Sequence, residues 1–238
     1  MDESERYLNS SDWKVRRIHV KRMDWTPTPT QVEKGLKDSD ADVRVAWAER
    51  TDFTATPEQV ERGLADKSWD VRLAWAKRAD FTPTPEQVDL MLSDPDMDVV
   101  AQWLCRTDFT PTPSQAEKGL NHQFDCIREL WCERKDYVMT PEQVESGLTH
   151  RSEYTRSNVS RRTDFIATPE QVARGLTDSY ALVRVAWAER MDWTATPTQI
   201  EMGLCDSEES VRNAWMKRGC LESRRLLDNE DDNPQIYL

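Results

Sequence analysis

His122 and His150 stand 28 residues apart, with Cys126 four residues beyond the first and Cys132 further along. Imidazole nitrogens and thiolates are zinc ligands, so this group is where metal chemistry would be sought. No C-x-x-C accompanies it, and the two histidines occupy equivalent slots of neighbouring repeats, which argues against one ion taking both. No metal and no cofactor is expected. A Gly-rich phosphate loop, G-x-S-x-G, H-E-x-x-H and a catalytic Cys/His arrangement are equally missing. The chain reads as non-enzymatic.

Composition narrows the class. The 238 residues are 37% hydrophobic and 32% charged, with ten tryptophans, which suits a folded chain and not a disordered one. The segment MDESERYLNS lacks the apolar stretch of a signal peptide, and no run of about 18 apolar residues marks a membrane span. Five cysteines at irregular spacing do not make a disulfide framework, so a reducing cytoplasm is expected. The formal net charge is −12. Residues 1–12 and 220–238 each carry −3, which leaves −6 on the body. That balance disfavours nucleic-acid phosphate overall.

The elements that hold these residues follow from a strict period. Prolines recur at 29, 57, 85, 113, 141, 169 and 197, and Leu36, Leu64, Leu92, Leu120, Leu148, Leu176 and Leu204 keep the same step of 28. A fixed period of this size marks an array in which each repeat buries its apolar face against its neighbours. Each repeat reads as two short helices. In the first, Thr56 caps, Pro57 suits the opening position and Gln59 completes a capping box. Val60, Gly63 and Leu64 then share a face. The recurring glycine, costly inside a helix, implies a close approach of another helix or the helix end. An Asp/Ser-rich turn such as DSDAD leads to the second helix, VRVAWAER, on which Val43, Ala46, Trp47 and Arg50 share a face. Seven full repeats are preceded by WKVRRIHVKRMDW, the second half of an eighth, in which His19 takes the tryptophan slot.

The stretch D-x-D-x-x-V-R-x-A-x-A-x-R, Asp38 to Arg50, resembles the second helix of bacterial HEAT-like repeats. Joined to a following T-P-x-x-V-x-x-x-L, it is similar to the leucine-rich repeat variant family, whose repeats are somewhat shorter. The resemblance covers about Trp13 to Arg218. It implies an all-α, right-handed α-solenoid of seven and a half two-helix repeats, with the second helices lining a concave binding surface. Some members of the variant family carry an N-terminal iron–sulfur segment, but this chain has no cysteine before Cys105. The domain reading is an acidic segment over 1–12, a solenoid over 13–219 opening with the half-repeat 13–25, and a C-terminal cap and acidic tail over 220–238.

The tryptophans at 47, 75, 103, 131, 187 and 215 are assigned to the core. The arginines at 44, 72, 128, 156, 184 and 212 are expected to pair with turn carboxylates such as Asp38 and Asp66. Arg50 and its equivalents are expected to complement the end of their own helix. The D-[FWY] pairs are read as loop anchors. Positions equivalent to 42, 45 and 49 vary freely and are expected to face solvent, and the central repeats depart furthest from the consensus. The partner-binding candidates are therefore Asp98, Ala101, Gln102 and Cys105 in the third repeat, Cys126, Glu129 and Glu133 in the fourth, and Tyr154, Ser157, Asn158 and Arg161 in the fifth. The leading function is a monomeric protein-binding scaffold. Two alternatives are an acidic DNA-mimic inhibitor of a nucleic-acid-binding protein and a HEAT-like nucleic-acid binder or DNA glycosylase, the second resting on fold analogy.

Overall fold

A computed structural model describes residues 3–231, and the side chains of residues 3–220. The chain forms two compact units, residues 1–111 and 112–238. The first unit holds α1 (Glu3–Leu8), α2 (Trp13–Val20), α3 (Pro29–Gly35), α4 (Ala41–Ala48), α5 (Pro57–Leu64), α6 (Trp69–Ala76), α7 (Pro85–Met91) and α8 (Met97–Leu104). The second holds α9 (Pro113–Leu120), α10 (Asp125–Glu133), α11 (Pro141–Leu148), α12 (Glu153–Ser160), α13 (Pro169–Leu176), α14 (Ala181–Glu189), α15 (Pro197–Leu204) and α16 (Glu209–Asp231). Every described element is helical. Within each unit a first helix packs on the second helix of its own repeat, and successive second helices pack on one another. The expected packing of the C-terminal LL pair, and the acidic tail, lie outside the described side chains.

Local chemistry starts each first helix. Thr28, Thr56, Thr84, Thr112, Thr140, Thr168 and Thr196 each accept from the amide three residues on, and the glutamine there returns a bond to the cap amide. Two of the four orphan amides are thereby satisfied, and the proline that follows the cap removes one donor that would need a partner.

The amino-terminal segment also belongs to the array. Glu5 on α1 accepts from Gln31 Nε2 at 3.0 Å, as Glu33 accepts from Gln59 Nε2 at 3.1 Å one repeat later. Glu5 and Leu8 lie 28 residues before Glu33 and Leu36, so α1 takes the place of a first helix for α2. Tyr7 on α1 stacks on His19 at 5.0 Å, and Trp25 stacks on the same ring at 4.8 Å. The imidazole thus fills the tryptophan slot as an aromatic plate, and burial lowers its pKa.

The tryptophans make the core, as their shared face with valine implies. Trp47, Trp75, Trp103, Trp131, Trp187 and Trp215 are all buried. Each such side chain contributes roughly 1.5–3 kcal/mol by leaving water. The glycine of the first helix is what lets the ring in. A Cβ on Gly63 would fall 2.2 Å from Trp75 Cε2, and Gly35, Gly119, Gly175 and Gly203 meet their tryptophans as closely. The close approach is therefore by an indole and not by a second backbone. The third repeat carries Met91 in this slot and still buries Trp103, whose indole nitrogen finds no hydrogen-bond partner. The fifth keeps Gly147 but sets Val159 against it.

Two arginine ladders join the repeats. In the first, Arg44 Nε and Nη2 grip both oxygens of Asp66 at 2.7 and 2.8 Å, while Nη1 donates to the carbonyl of Asp38. Arg16–Asp38, Arg72–Asp94, Arg156–Asp178 and Arg184–Asp206 repeat the arrangement. Burial alone would raise the Asp66 carboxyl. The Arg44 guanidinium and the Ser68 amide outweigh it and hold the carboxyl below its ordinary value.

The second ladder differs from its expected role. Arg78 is buried and reaches back one repeat. Its Nη1 donates to the carbonyls of Ala48 and Arg50, each at 2.8 Å, and its Nη2 to Phe53 O at 3.1 Å. Nε and Nη2 also bind Asp80, and the guanidinium lies 4.5 Å over the Phe53 ring. Ala48 ends α4, so the arginine completes the C-terminus of the preceding second helix. Arg50 and Arg106 do the same in the first unit, and Arg162, Arg190 and Arg218 in the second. The D-[FWY] pair is thereby explained. Its aspartate holds the arginine of its own repeat, and its ring lies under the arginine of the next.

Gly63→Ala tests the indole seat. Overpacking should cost about 1–3 kcal/mol even after the gain in helix propensity, read as a lower urea midpoint. Gly219→Ala, where a Cβ meets nothing within 4 Å, should be neutral or slightly stabilising in the same assay.

Candidate partner-binding face

The ladders account for the recurring charges. The arginines of the first are spent on aspartates and turn carbonyls, and those of the second on helix ends. What remains for an outside partner is the variable set. Asp98, Cys105, Cys126, Glu133, Tyr154 and Arg161 are exposed. Ala101, Gln102, Glu129 and Asn158 are half-buried, because those positions lean toward the neighbouring second helix. Ser157 departs from the expectation. It is fully buried, donates to Leu182 O at 3.4 Å and accepts from Arg161, so a partner could not touch it. A serine is small enough for these neighbours to cover.

The variable positions already include Tyr154 and Leu182, and the structure adds Phe124 and Tyr180 to an apolar set at the start of the second helices. Phe124, Tyr154, Tyr180 and Leu182 are exposed in the second unit, where the first repeat has Asp40 and Asp42. The signal for Phe124 and Tyr180 was the replacement of the cap aspartate, Asp40 in the first repeat, by an aromatic. The ends of the second helices form notches. One of about 480 Å³ lies between α10 and α12, and one of about 540 Å³ between α12 and α14. In the first unit a notch of about 470 Å³ lies between α4 and α6.

The histidines and cysteines of the fourth and fifth repeats do not assemble as ligands. Among the described residues no three His, Cys, Asp or Glu side chains come together to hold a metal ion. Cys132 is buried, and burial pushes its thiol up to about 12. Cys126 is exposed. His122 and His150 stand in the aspartate slot of the first arginine ladder. His122 Nδ1 accepts from the Phe124 amide at 3.2 Å and His150 Nδ1 from the Ser152 amide at 3.1 Å, as Asp66 accepts from Ser68. Nδ1 as acceptor makes each ring a neutral imidazole with its proton on Nε2.

This exchange leaves Arg128 without a turn carboxylate. Its Nε donates to Thr155 Oγ1 at 3.1 Å, and the remaining nitrogens engage His122 O and Asp125 of its own helix. The residue is buried, and that burial, with Arg151 nearby, lowers its pKa. His150 is lowered too, first by burial and then by Arg128, Arg151 and Arg156. Among the described residues no helix is long and apolar enough to cross a membrane.

No family model matches the sequence, and no curated protein matches it. Among solved structures the chain is similar to one described as a leucine-rich repeat variant with a novel repetitive protein structural motif. The TM-score is 0.66 at 24% identity, and the match covers 90% of this chain and 80% of that one. The likeness is one of fold. With the repeated helix pairs, it shows the chain to be an all-α solenoid similar in fold to that protein.

His150→Asp gives the central ladder a test. A histidine whose folded pKa lies below the ordinary value of about 6.5 takes its proton first in the unfolded chain. Stability should therefore decline as pH falls from about 6.5 through the lowered folded pKa. Aspartate there would restore the carboxylate that Arg128 lacks. The variant should gain on the order of 1–2 kcal/mol, as for hydrogen bonds to charged groups. Its decline as pH falls below about 6.5 should also be shallower, read in urea titrations at successively lower pH.

Proposed function

We propose that this chain is a non-enzymatic protein-binding scaffold that uses the outer faces and C-terminal ends of its second helices. One observation carries the reading. The recurring arginines and aspartates are consumed in joining repeats, whereas the varying positions, Ser157 apart, are exposed or half-buried on one series of helices. A fixed frame with a changeable face is how repeat arrays hold partners. The exposed Tyr154 and Arg161 of the fifth repeat, with Tyr180 of the sixth, are residue types enriched at binding hot spots. The solenoid fold supports a scaffold role, and the likeness to a solved repeat protein reaches no further than the fold.

The same pairing weighs against both alternatives. A nucleic-acid binder needs its arginines presented to phosphate, and here they bind aspartates and carbonyls. A DNA mimic needs dense free carboxylates, and the turn aspartates at 38, 66, 94, 178 and 206 are each gripped by a guanidinium. We take the protein to act as a monomer in the cytoplasm.

The test is a pull-down from host lysate with the intact chain and with the combined Glu129→Arg, Glu133→Arg, Arg161→Glu variant. A retained protein that persists at moderate salt and is lost by at least tenfold with the variant would support the scaffold. If every partner stays bound to the variant, the second-helix face is not the binding surface. Capture of nucleic acid alone would replace the scaffold with a nucleic-acid reading.

A further inference from the structure

Asn158 is anomalous for its slot. The equivalent position holds Ala46, Ala74, Ala186 and Ala214 in four other repeats. At Ala74 and Ala186 a methyl group lines the notch between second helices, and a carboxamide in that place brings different chemistry. The Asn158 side chain lies half-buried in the notch between α10 and α12, beside Glu133, Lys135, Arg161 and Thr163. Its amide makes no hydrogen bond within the described residues. That amide offers one acceptor oxygen and two donor hydrogens, all turned to a groove.

The groove has length as well as a polar floor. The notch between α10 and α12 shares Arg161, Arg162 and Thr163 with the next notch, between α12 and α14. The two therefore run together across three successive second helices. Arg162 brings no free charge, because its guanidinium is spent on the carbonyls of Cys132, Arg134 and Tyr137 and on Asp164. Arg161 reaches Glu189 at 3.7 Å. Glu133 differs from both. It is exposed on the α10 side and has no cation within ion-pair distance among the described residues, Lys135 included.

A long groove with an unspent amide in its floor and an unpaired carboxylate on one wall has a definite complement. Extended backbone presents an N–H and a C=O from the same residue on one edge, and a carboxamide can satisfy both. A carboxylate beside it selects a cation. We propose that this groove binds an extended segment of a partner protein, with Asn158 clamping its backbone and Glu133 receiving a lysine or arginine side chain. The proposal rests on the second-helix face being the partner surface and specifies what lies on it.

The test uses the full chain and a displayed pool of random dodecapeptides, with binders measured by fluorescence anisotropy over a salt series. Selected peptides should be enriched in lysine or arginine. Asn158→Ala restores the residue of four other repeats, so it should fold as the parent does. It should weaken binding about tenfold, as two lost hydrogen bonds would, and leave the salt dependence unchanged. Glu133→Gln should weaken binding several-fold and flatten the salt dependence. Peptides that bind Asn158→Ala as tightly as the parent would overturn the proposal. So would a pool from which nothing is retained. If in that case the lysate partner is still lost with the charge-reversal variant, the face binds a folded surface, and only the extended segment is wrong. If that partner also stays bound, the scaffold face itself is wrong.

Discussion

An α-helix ends on carbonyls that its own hydrogen bonds cannot reach, and this protein satisfies them with an arginine from the next repeat. That one guanidinium meets two carbonyls at the end of the preceding helix, a third in the loop beyond, an aspartate of its own loop and an aromatic face. A buried cation is costly unless every donor is occupied, and here the occupants come from two repeats at once. Slippage of one repeat against its neighbour would strand both the charge and the carbonyls. The spacing of the second helices, and hence of every side chain on their outer face, depends on this contact.

The first ladder explains why the aspartate-rich turns are not an acidic surface. Asp38, Asp66, Asp94, Asp178 and Asp206 each accept a bidentate arginine and the backbone amide two residues on. Pairing leaves the net charge of −12 unchanged, but it removes these five aspartates from the free carboxylates of the surface. Where histidine replaces aspartate, the amide keeps its acceptor, and at His150 the arginine exchanges its turn carboxylate for Asp125 of its own helix. The fourth and fifth repeats thus retain the turn and relinquish the bridge at Arg128. The fifth of these repeats also carries Asn158 in place of alanine and Val159 in place of tryptophan, so the departures from consensus gather where the frame is least strictly held.

Much of this was legible in the order of residues. Thr-Pro-x-Gln is a local signal, so the seven capping boxes follow from a few adjacent side chains, and the tryptophans share a helical face with a valine, so their burial follows from periodicity. What the sequence hid needs two helices in view, and often two repeats. The glycine of the first helix answers to a ring twelve residues later, in another helix. Arg50 reads as complementing its own helix dipole, yet its partners lie 25 to 30 residues upstream. Ser157 varies as a surface position does but is small enough to be covered by Leu182 and Arg161. The helix at Glu3–Leu8 lacks the threonine and proline that announce the others, and only Glu5 and Leu8, one period before Glu33 and Leu36, betray it.

The backward reach of the arginine also gives the array a direction. A repeat supplies its own aromatic ring and its own helix end, but the cation that seals them arrives with the repeat that follows. A chain made from its amino terminus therefore leaves each newly formed helix pair incomplete until the next 28 residues have emerged. Ribosomal synthesis and structural closure run the same way, one repeat out of step, so that at any moment the growing edge is the only one still open.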